Sequence, residues 1–390
     1  MIRPDVLVTN GEYRAGLIFT RSLGKKNLKV QVAGNHPKSH TFYSKYTSSF
    51  FTYPDISNGI DKIYADLISN IRKYRPKVFM PLADDCSLAV YKNKREFEKY
   101  TNLIPMPTYR QFDMLNSKIK LLHFAMKNNI DMPRTYICND ITDAKKAAKD
   151  NGFPVIIKPY MGKGSKGVSL AHNKKSLLEN FKTLRKMSSN PVFDSKKILV
   201  QEYIPNTLSY YNVFVYKGRI IARHQSKILK TYPPVCGPAC SNLSIYDKDL
   251  DNAGIKVINK IKLKNGVLNL QFIFDKKKNM YRLLEINPRM ASSIQASIDS
   301  GVDFPFLLYK AAKGEKLLPV NGYKLDLKVR YLRNEFRRCL QTKKLRDFID
   351  LLNLKNSSTE FDFTDMKPHL VNFADDAYNI LESIRHKISV

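Results

Sequence analysis

Leu268-Asn269-Leu270-Gln271-Phe272 and Leu283-Leu284-Glu285-Ile286-Asn287-Pro288-Arg289 decide how this chain is read. Both are apolar runs interrupted at alternate places by an amide or a carboxylate. Side chains of an extended strand alternate between faces, so Asn269 and Gln271 share one face and Leu268, Leu270 and Phe272 the other. The same rule sets Glu285 beside Asn287, with Leu284 and Ile286 facing away. The turn-like Lys276–Asn279 between the two runs predicts an antiparallel hairpin. A register centred near Lys277 or Lys278 puts Gln271 opposite Leu283 or Glu285. Gln271, Glu285 and Asn287 then converge as oxygen donors on one face, a set that suits Mg²⁺, which keeps waters and phosphate oxygens in its other positions. Mn²⁺ takes the same kind of donor. Arg289 lies just beyond, placed to meet a phosphoryl group. The competing reading is a half-exposed hairpin with a polar outer face.

Two upstream segments carry related signals. Val155-Ile156-Ile157-Lys158 is an apolar strand ending in a lysine, and Met161–Val168 follows with Gly162, Gly164, Ser165 and Gly167. Glycines let backbone N–H groups approach a phosphate without obstruction by Cβ. A lysine leaving a buried strand needs an anionic partner. A plain glycine-rich hairpin with a snorkelling lysine is the alternative. The Walker pattern GxxxxGK[ST] is absent. Ile198–Glu202 is a strand running into Tyr203-Ile204-Pro205, a hinge whose main chain suits the edge of an adenine, or simply a strand exit.

Residues 5 to about 107 alternate strand-like and helix-like patterns in βαβαβ order, which predicts a parallel sheet covered by helices. Gly11 alone is no dinucleotide fingerprint. Asp84 and Asp85 follow a strand end, where ligands can bind, and are read first as helix caps. One helix is expected from Tyr109 to Asn129. From Thr135 onward several strands joined by short turns predict antiparallel hairpins, and the last 70 or so residues read as helical and charged, interrupted at Phe361–Pro368. The expected fold class is α/β, with α+β character in the second part. The expected domains are 1–107, a Rossmann-like unit; 108–315, with a lid subdomain at about 135–203 and a C-terminal antiparallel sheet; and 316–390, a helical extension.

Composition narrows the classes further. No run approaches the about 18 apolar residues of a membrane span. The start of the chain leaves no room for a secretory leader, and five scattered cysteines read as reduced thiols, so a cytoplasmic protein is expected. Cys236 and Cys240 lack a second Cys/His pair to complete a zinc site. The net charge of +31 points to nucleic acid, an acidic membrane surface or polyanionic substrates, ATP among them, or to a compositional drift toward lysine. It is spread over the whole chain, no nucleic-acid-binding motif occurs, and the aromatics are not interleaved with the basic runs. Lys145–Lys149, Lys276–Lys278 and Arg337–Arg346 read as solvated faces.

Taken in order, these segments resemble the ATP-grasp superfamily, and in particular the ATP-binding halves of the carbamoyl-phosphate synthetase large subunit. The resemblance covers roughly residues 5 to 315. It implies an N-terminal pre-ATP-grasp domain and an ADP-forming ligase that joins a small carboxylate to an amine, using ATP and Mg²⁺. Lys118, preceded by Ser117 where the family commonly has Asp, matches the first phosphate-binding lysine, and Lys158 matches the second. Gly162 to Gly167 match the phosphate lid. Glu202, Tyr203 and Ile204 match the adenine hinge. Gln271, Glu285 and Asn287 match the magnesium ligands. Arg289 matches the arginine that steadies the acyl-phosphate. The stretch Pro205–Tyr216 holds no carboxylate, so Asn206, Thr207 or Ser209 stands where the family holds the ribose. One such unit and no glutaminase motif make this less than a complete carbamoyl-phosphate synthetase. The tail Phe361–Pro368 loosely resembles single-unit proteins encoded with surface-polysaccharide pathways. Substrate contacts are sought in Arg223–Asn242, with Lys227 and Lys230 as carboxylate holders, and in Arg289–Ser293, where Ser292 and Ser293 either admit substrate or cap a helix. A small-acid kinase, a basic nucleic-acid-binding protein and a catalytically silent nucleotide sensor are the alternatives. A homodimer stays open.

Overall fold

The structure, a computed structural model, describes residues 3–160, 166–187, 197–234, 237–375 and 382. Its strands fall into three sheets that follow one another along the chain. The first holds β1 (Val6–Val8), β2 (Val30–Gly34), β3 (Thr47–Thr52), β4 (Val78–Met80) and β5 (Asn102–Leu103), all parallel, in the order β3-β2-β1-β4-β5. This is the doubly covered sheet that the βαβαβ pattern predicts. Its inner strands are apolar but for the buried Gln31 of β2, because both faces are buried. One face packs on the helix Ile60–Tyr74, whose Ile63, Leu67 and Ile71 recur every turn and are fully buried. The other face meets Phe214, Val267, Met290 and Phe304 of the later chain, so the first sheet shares its core with the rest of the molecule.

The second sheet is antiparallel, with β6 (Thr135–Cys138), β7 (Val155–Pro159), β8 (Ser169–Ala171) and β9 (Ile198–Glu202) in the order β6-β9-β7-β8. Two alanine- and leucine-faced helices, Ile141–Asn151 and Lys174–Lys186, cover one side and make a small core of their own. The third sheet has β10 (Leu208–Tyr216), β11 (Arg219–Thr231), β12 (Ala239–Ile245), β13 (Gly266–Asp275), β14 (Met280–Asn287), β15 (Lys328–Arg330) and β16 (Ser357–Thr359), in the order β14-β13-β10-β11-β12-β15-β16. All its pairings are antiparallel except β15 with β16.

Two sequence expectations need correction. The helix expected over Tyr109–Asn129 is two helices, Tyr109–Asn116 and Lys118–Lys127. Ser117 is extended between them, and its side chain accepts from the Lys120 amide as an N-cap. Hydrophobic spacing runs through the break, so periodicity alone does not see it. The region after 315 is not only helical. It adds β15 and β16 to the third sheet, and its Phe361–Pro368 tail returns to the first domain. There Arg21 Nε pairs with Asp365 Oδ2 at 2.8 Å, and Asp365 also accepts from the Ser44 hydroxyl and the Lys45 amide.

Candidate functional site

The edge strand β14 and its neighbour β13 hold the oxygen donors that the sequence singles out. β13 and β14 pair with Gln271 opposite Glu285 and Asn269 opposite Asn287, one of the two registers expected. The ladder then skips Leu284, so Phe272 lies opposite Leu283. This bulge changes the face assignment. Leu283 and Ile286 are both buried in the core, whereas Leu284 lines the cleft with Glu285. Strict alternation fails at one residue, as a bulge makes it do.

Asn269 organises this face. It is buried, and its Oδ1 accepts from Gln271 Nε2 at 3.5 Å and from Asn287 Nδ2 at 3.4 Å. Asn287 Nδ2 also donates to Glu285 Oε1 at 3.2 Å. With both amide nitrogens turned to these acceptors, the amide oxygens are the ends that Gln271 and Asn287 can offer a cation. Asn269 was placed on this face from the sequence, but its orienting role was not legible. Nor was the chain of hydrogen bonds behind it. Asn269 Nδ2 donates to Asn212 Oδ1 at 2.9 Å, and Asn212 Nδ2 to Ser297 Oγ at 3.3 Å. Ser297 meets His224 Nδ1 at 3.0 Å, His224 Nε2 meets Ser244 Oγ at 3.1 Å, and Ser244 donates to the Lys324 carbonyl at 2.7 Å. Ser244 gives its proton to that carbonyl, so it accepts from His224 Nε2–H, and Nδ1 accepts from Ser297. Every donor then points the same way. The chain requires a neutral imidazole, and burial does hold the His224 pKa down to about 3.

A cleft of about 490 Å³ opens over this face. Gln271, Glu285, Asn287 and Arg289 line it from the third sheet, Lys158, Glu202, Tyr203 and Ile204 from the second, and Lys118 from the connecting helix. Lys118 is the first residue of its helix because Ser117 caps it. Burial lowers its pKa, and the Glu285 carboxylate opposes that. Lys158 is buried at the end of β7, where its Nζ donates to Gln201 Oε1 at 3.0 Å, and Gln201 in turn donates to Thr135 Oγ1 at 2.7 Å. The sequence places Gln201 in the hinge strand with no sign of this contact. Gly167 has φ +75°, and a Cβ there would stand 2.8 Å from Leu184, so the turn into β8 demands glycine. Gly162, Gly164 and Ser165 lie outside the described residues.

The hinge carboxylate of Glu202 is engaged within the protein. Its Oε2 accepts from Arg282 Nη1 at 3.0 Å and from the Arg134 amide at 3.1 Å, and Arg282 also holds Asp275 at 2.9 Å. Arg282 thereby ties the hinge to the β13–β14 turn. Among the residues standing where a ribose carboxylate was sought, the Asn206 amide is committed to Phe274 O and the Thr207 amide. Thr207 is exposed and lines the cleft, and Ser209 is buried outside the lining.

The far end of the cleft departs most from expectation. The sequence leaves Asp84 and Asp85 between helix caps, its first reading, and a ligand-side position past a strand end. Asp85 does accept from the Cys86 amide in the first turn, but Asp84 pairs with Arg289 Nε at 3.2 Å and lines the cleft. Lys227 is exposed and lies outside the lining. Lys230 lines the cleft but is already held by Asp350 at 2.5 Å and Asp347 at 3.6 Å. Ser292 and Ser293 line the cleft and make no cap for the following helix, Gln295–Asp299, whose N-cap is Ile294. Arg338 reaches the same end from the helix Leu332–Thr342, its Nη1 donating to Thr231 O at 2.7 Å. The sequence reads Arg337–Arg346 as a solvated face, and Arg338 departs from that by lining the cleft. Cys236 is outside the described residues, and Cys240 is a buried free thiol. No cluster of three His, Cys, Asp or Glu suited to a metal occurs among the described residues.

Comparison with known proteins agrees with this architecture. Residues 118–212 match the profile of the carbamoyl-phosphate synthase L chain, ATP binding domain, and residues 240–335 match that of ATP-grasp in the biosynthetic pathway with Ter operon. The carbamoyl phosphate synthase large chain of Methanobrevibacter smithii is 28% identical over 204 residues, 50% of this chain but 19% of that protein. The large chain of Haemophilus ducreyi is 22% identical over 323 residues, 78% of this chain and 28% of that protein. This chain thus spans less than a third of the length of either relative. Among solved structures, the biotin carboxylase–β,γ-ATP complex of Campylobacter jejuni superimposes with TM-score 0.65 at 17% identity, covering 84% of this chain and 74% of that one. The L-amino acid ligase of Bacillus licheniformis gives 0.61 at 14% identity, covering 80% and 75%. Among the described residues no helix is long and apolar enough to cross a membrane. Both profiles are of ATP-grasp domains and fall on the sheets that wall the cleft, so the comparisons support an ATP-grasp protein similar to the carbamoyl phosphate synthase large chain.

Proposed function

We propose that this chain is an ADP-forming carboxylate–amine ligase that works through an acyl-phosphate. The observation that carries the reading is the meeting of Gln271, Glu285 and Asn287 with Lys118, Lys158 and Arg289 around one cleft. The donor set of one carboxylate and two amides oriented by Asn269 fits Mg²⁺ or Mn²⁺, which complete their shells with phosphate oxygens and water. Such an ion, when bound, neutralises phosphate charge. Lys118 and Lys158 hold the nucleotide phosphates, the main chain of Glu202–Ile204 takes the adenine, and Thr207 faces the ribose. Catalysis is then positioning plus charge neutralisation. The substrate carboxylate oxygen attacks the γ-phosphorus, the bond to the β–γ bridging oxygen breaks, and ADP leaves. An amine nitrogen next attacks the acyl carbon and expels phosphate, losing a proton as the amide forms. Arg289 sits where negative oxygens develop in both steps, steadied by Asp84.

The C. jejuni biotin carboxylase complex with ATP and the L-amino acid ligase support a nucleotide and an acid–amine pair in a shared fold. The acid and amine are placed among amino acids and amino-sugar precursors of surface polysaccharide, the latter from the tail resemblance. Phosphate release measured over a panel of such acids and amines is the test. Release that needs both partners supports ligation, release with the acid alone indicates a small-acid kinase, and no release with any pair indicates a nucleotide sensor. Glu285→Ala, folded by circular dichroism, is expected to lose about 10²–10³ in kcat, the size of one preorganised electrostatic partner. Near-normal turnover in that variant removes the metal assignment.

A further inference from the structure

The helix Leu345–Leu352 is mounted the wrong way round for a water-soluble surface. An amphipathic helix ordinarily turns its apolar stripe to the core and its charges to water. Here the acidic side faces in. Asp350 is held by Lys230 and by Lys328 at 3.2 Å, and Asp347 accepts from Thr342 Oγ1 at 2.8 Å and meets Lys230. The opposite side carries Leu345, Ile349 and Leu352 at helical spacing, and they are 74%, 61% and 83% exposed. The preceding helix, Leu332–Thr342, repeats the pattern: Glu335 is buried against Arg330, while Phe336 and Leu340 are exposed one turn apart. A contiguous exposed apolar face of this kind marks an interaction surface.

Charge says what would cover it. Each acid of the two helices is taken by an inner cation. Lys343, Lys344, Arg346 and Lys355 are all exposed beside the apolar stripe. The exposed charges that flank the apolar stripe along residues 343–355 are thus all cationic, which is complementary to an anionic lipid surface: apolar side chains enter the acyl boundary and the lysines meet headgroup phosphates.

We infer that the helix pair 332–352 docks this protein on anionic membrane surfaces. The same pair supplies Arg338 to the cleft, so docking holds the far end of the cleft beside the bilayer. The inference stands apart from the ligase reading, since the surface is defined without it.

The test is cosedimentation of the full chain with vesicles of phosphatidylcholine plus phosphatidylglycerol, against pure phosphatidylcholine. The wild-type chain is expected to pellet with the first and not the second. Because the chain carries +31, simple electrostatic adsorption is the control that matters. The triple variant Leu345→Ser, Ile349→Ser, Leu352→Ser keeps every charge and alters only exposed positions. It is expected to bind about tenfold more weakly or less, since three side chains no longer leave water, with an unchanged thermal unfolding midpoint. A second variant, Lys343→Gln, Lys344→Gln, Arg346→Gln, is expected to lose the preference for the anionic vesicles. Three results overturn the inference: no binding by the wild-type chain, equal binding by the serine variant, or a wild-type dimer in sedimentation velocity that the serine variant abolishes. The last would assign the face to a second copy of this chain.

Discussion

The β13–β14 hairpin and the chain beyond residue 315 end at opposite sides of one cleft, and they were built by different means. In the hairpin, residues close in sequence make the site. Gln271, Glu285 and Asn287 meet because strand period and one turn bring them together. In the later chain, Arg338 reaches the cleft only because β15 and β16 extend the third sheet and an acid pair, Asp347 and Asp350, clasps Lys230. The first is set by local geometry, the second by tertiary fastening. The buried hydrogen-bond chain from Asn269 to the Lys324 carbonyl joins the two. The C-terminal chain is thus a wall of the site rather than an appendage to it.

The largest expected effect tests that statement. Arg21 and Asp365 form a buried pair between the first domain and the C-terminal tail, and Arg21 also donates to the Glu360 carbonyl at 2.9 Å. Arg21→Met leaves Asp365 buried without its countercharge. The expected loss is about 3–5 kcal/mol in urea unfolding. Arg21→Met with Asp365→Asn should recover part of it, because the stranded charge is gone. A loss near zero in the single variant would make the tail an independent appendage and dissolve the comparison.

Asn269 tests the hairpin. Asn269→Ala frees the Gln271 and Asn287 amides to rotate, while leaving all three proposed cation donors in place. The expected cost is about 10–100-fold in apparent Mg²⁺ affinity for ATP turnover, the usual range for residues that orient metal donors. Asn269→Asp keeps an acceptor for both amides and should retain more affinity than the alanine variant. If the two variants behave alike, the orienting role is lost, whatever Glu285 does.

How much of this was readable follows the same division. The parallel sheet, the hairpin register to within two choices, and Lys158 at its strand end are legible, because period two, period 3.6 and strand ends are local signals, whereas Lys118 comes only from the family resemblance. Leu284 was misplaced because a bulge is a one-residue event with no periodic signature. The break at Ser117 was hidden by apolar spacing that continues through it. Asn212, Ser297 and His224 gave no signal at all. They sit 12 to 85 residues apart, so only the folded sheet brings them into one chain. Arg338 was hidden by its neighbours, since one inward arginine in a basic run looks like its solvated companions.

His224 sharpens the link between the two regions through pH. Its pKa is ordinarily 6.5 and burial lowers it to about 3 in the folded chain. Below 6.5 the unfolded chain therefore takes up a proton that the folded one refuses. The stabilisation is complete above 6.5 and is lost as pH falls toward 3, with a limiting slope of about 1.4 kcal/mol per pH unit. His40, lowered to about 3, and His369, lowered to about 4, add slopes of the same sign. His224→Gln should remove only its own share. Between pH 6 and pH 5 the wild-type chain is expected to lose about 1 kcal/mol more than the variant in urea unfolding. Parallel pH profiles would mean that His224 is not the neutral link in that chain.

The smallest effect separates the ends of the cleft most cleanly. Arg338 touches the Thr231 carbonyl, and its Nε lies 3.8 Å from Asp347, so its charge is only partly spent inside the protein. On the ligase reading it faces an acid or amine substrate, whereas Lys118 and Lys158 face the nucleotide. Arg338→Ala should then raise the KM of one organic substrate roughly fivefold, about 1 kcal/mol for a partly exposed charge contact. The KM for ATP and the Mg²⁺ dependence should stay as they are. Lys158→Met should do the reverse, raising the KM for ATP and sparing that of the acid. If Arg338→Ala moved the ATP parameters instead, the far end of the cleft would belong to the nucleotide, and the organic substrates would have to enter from the side lined by Thr207.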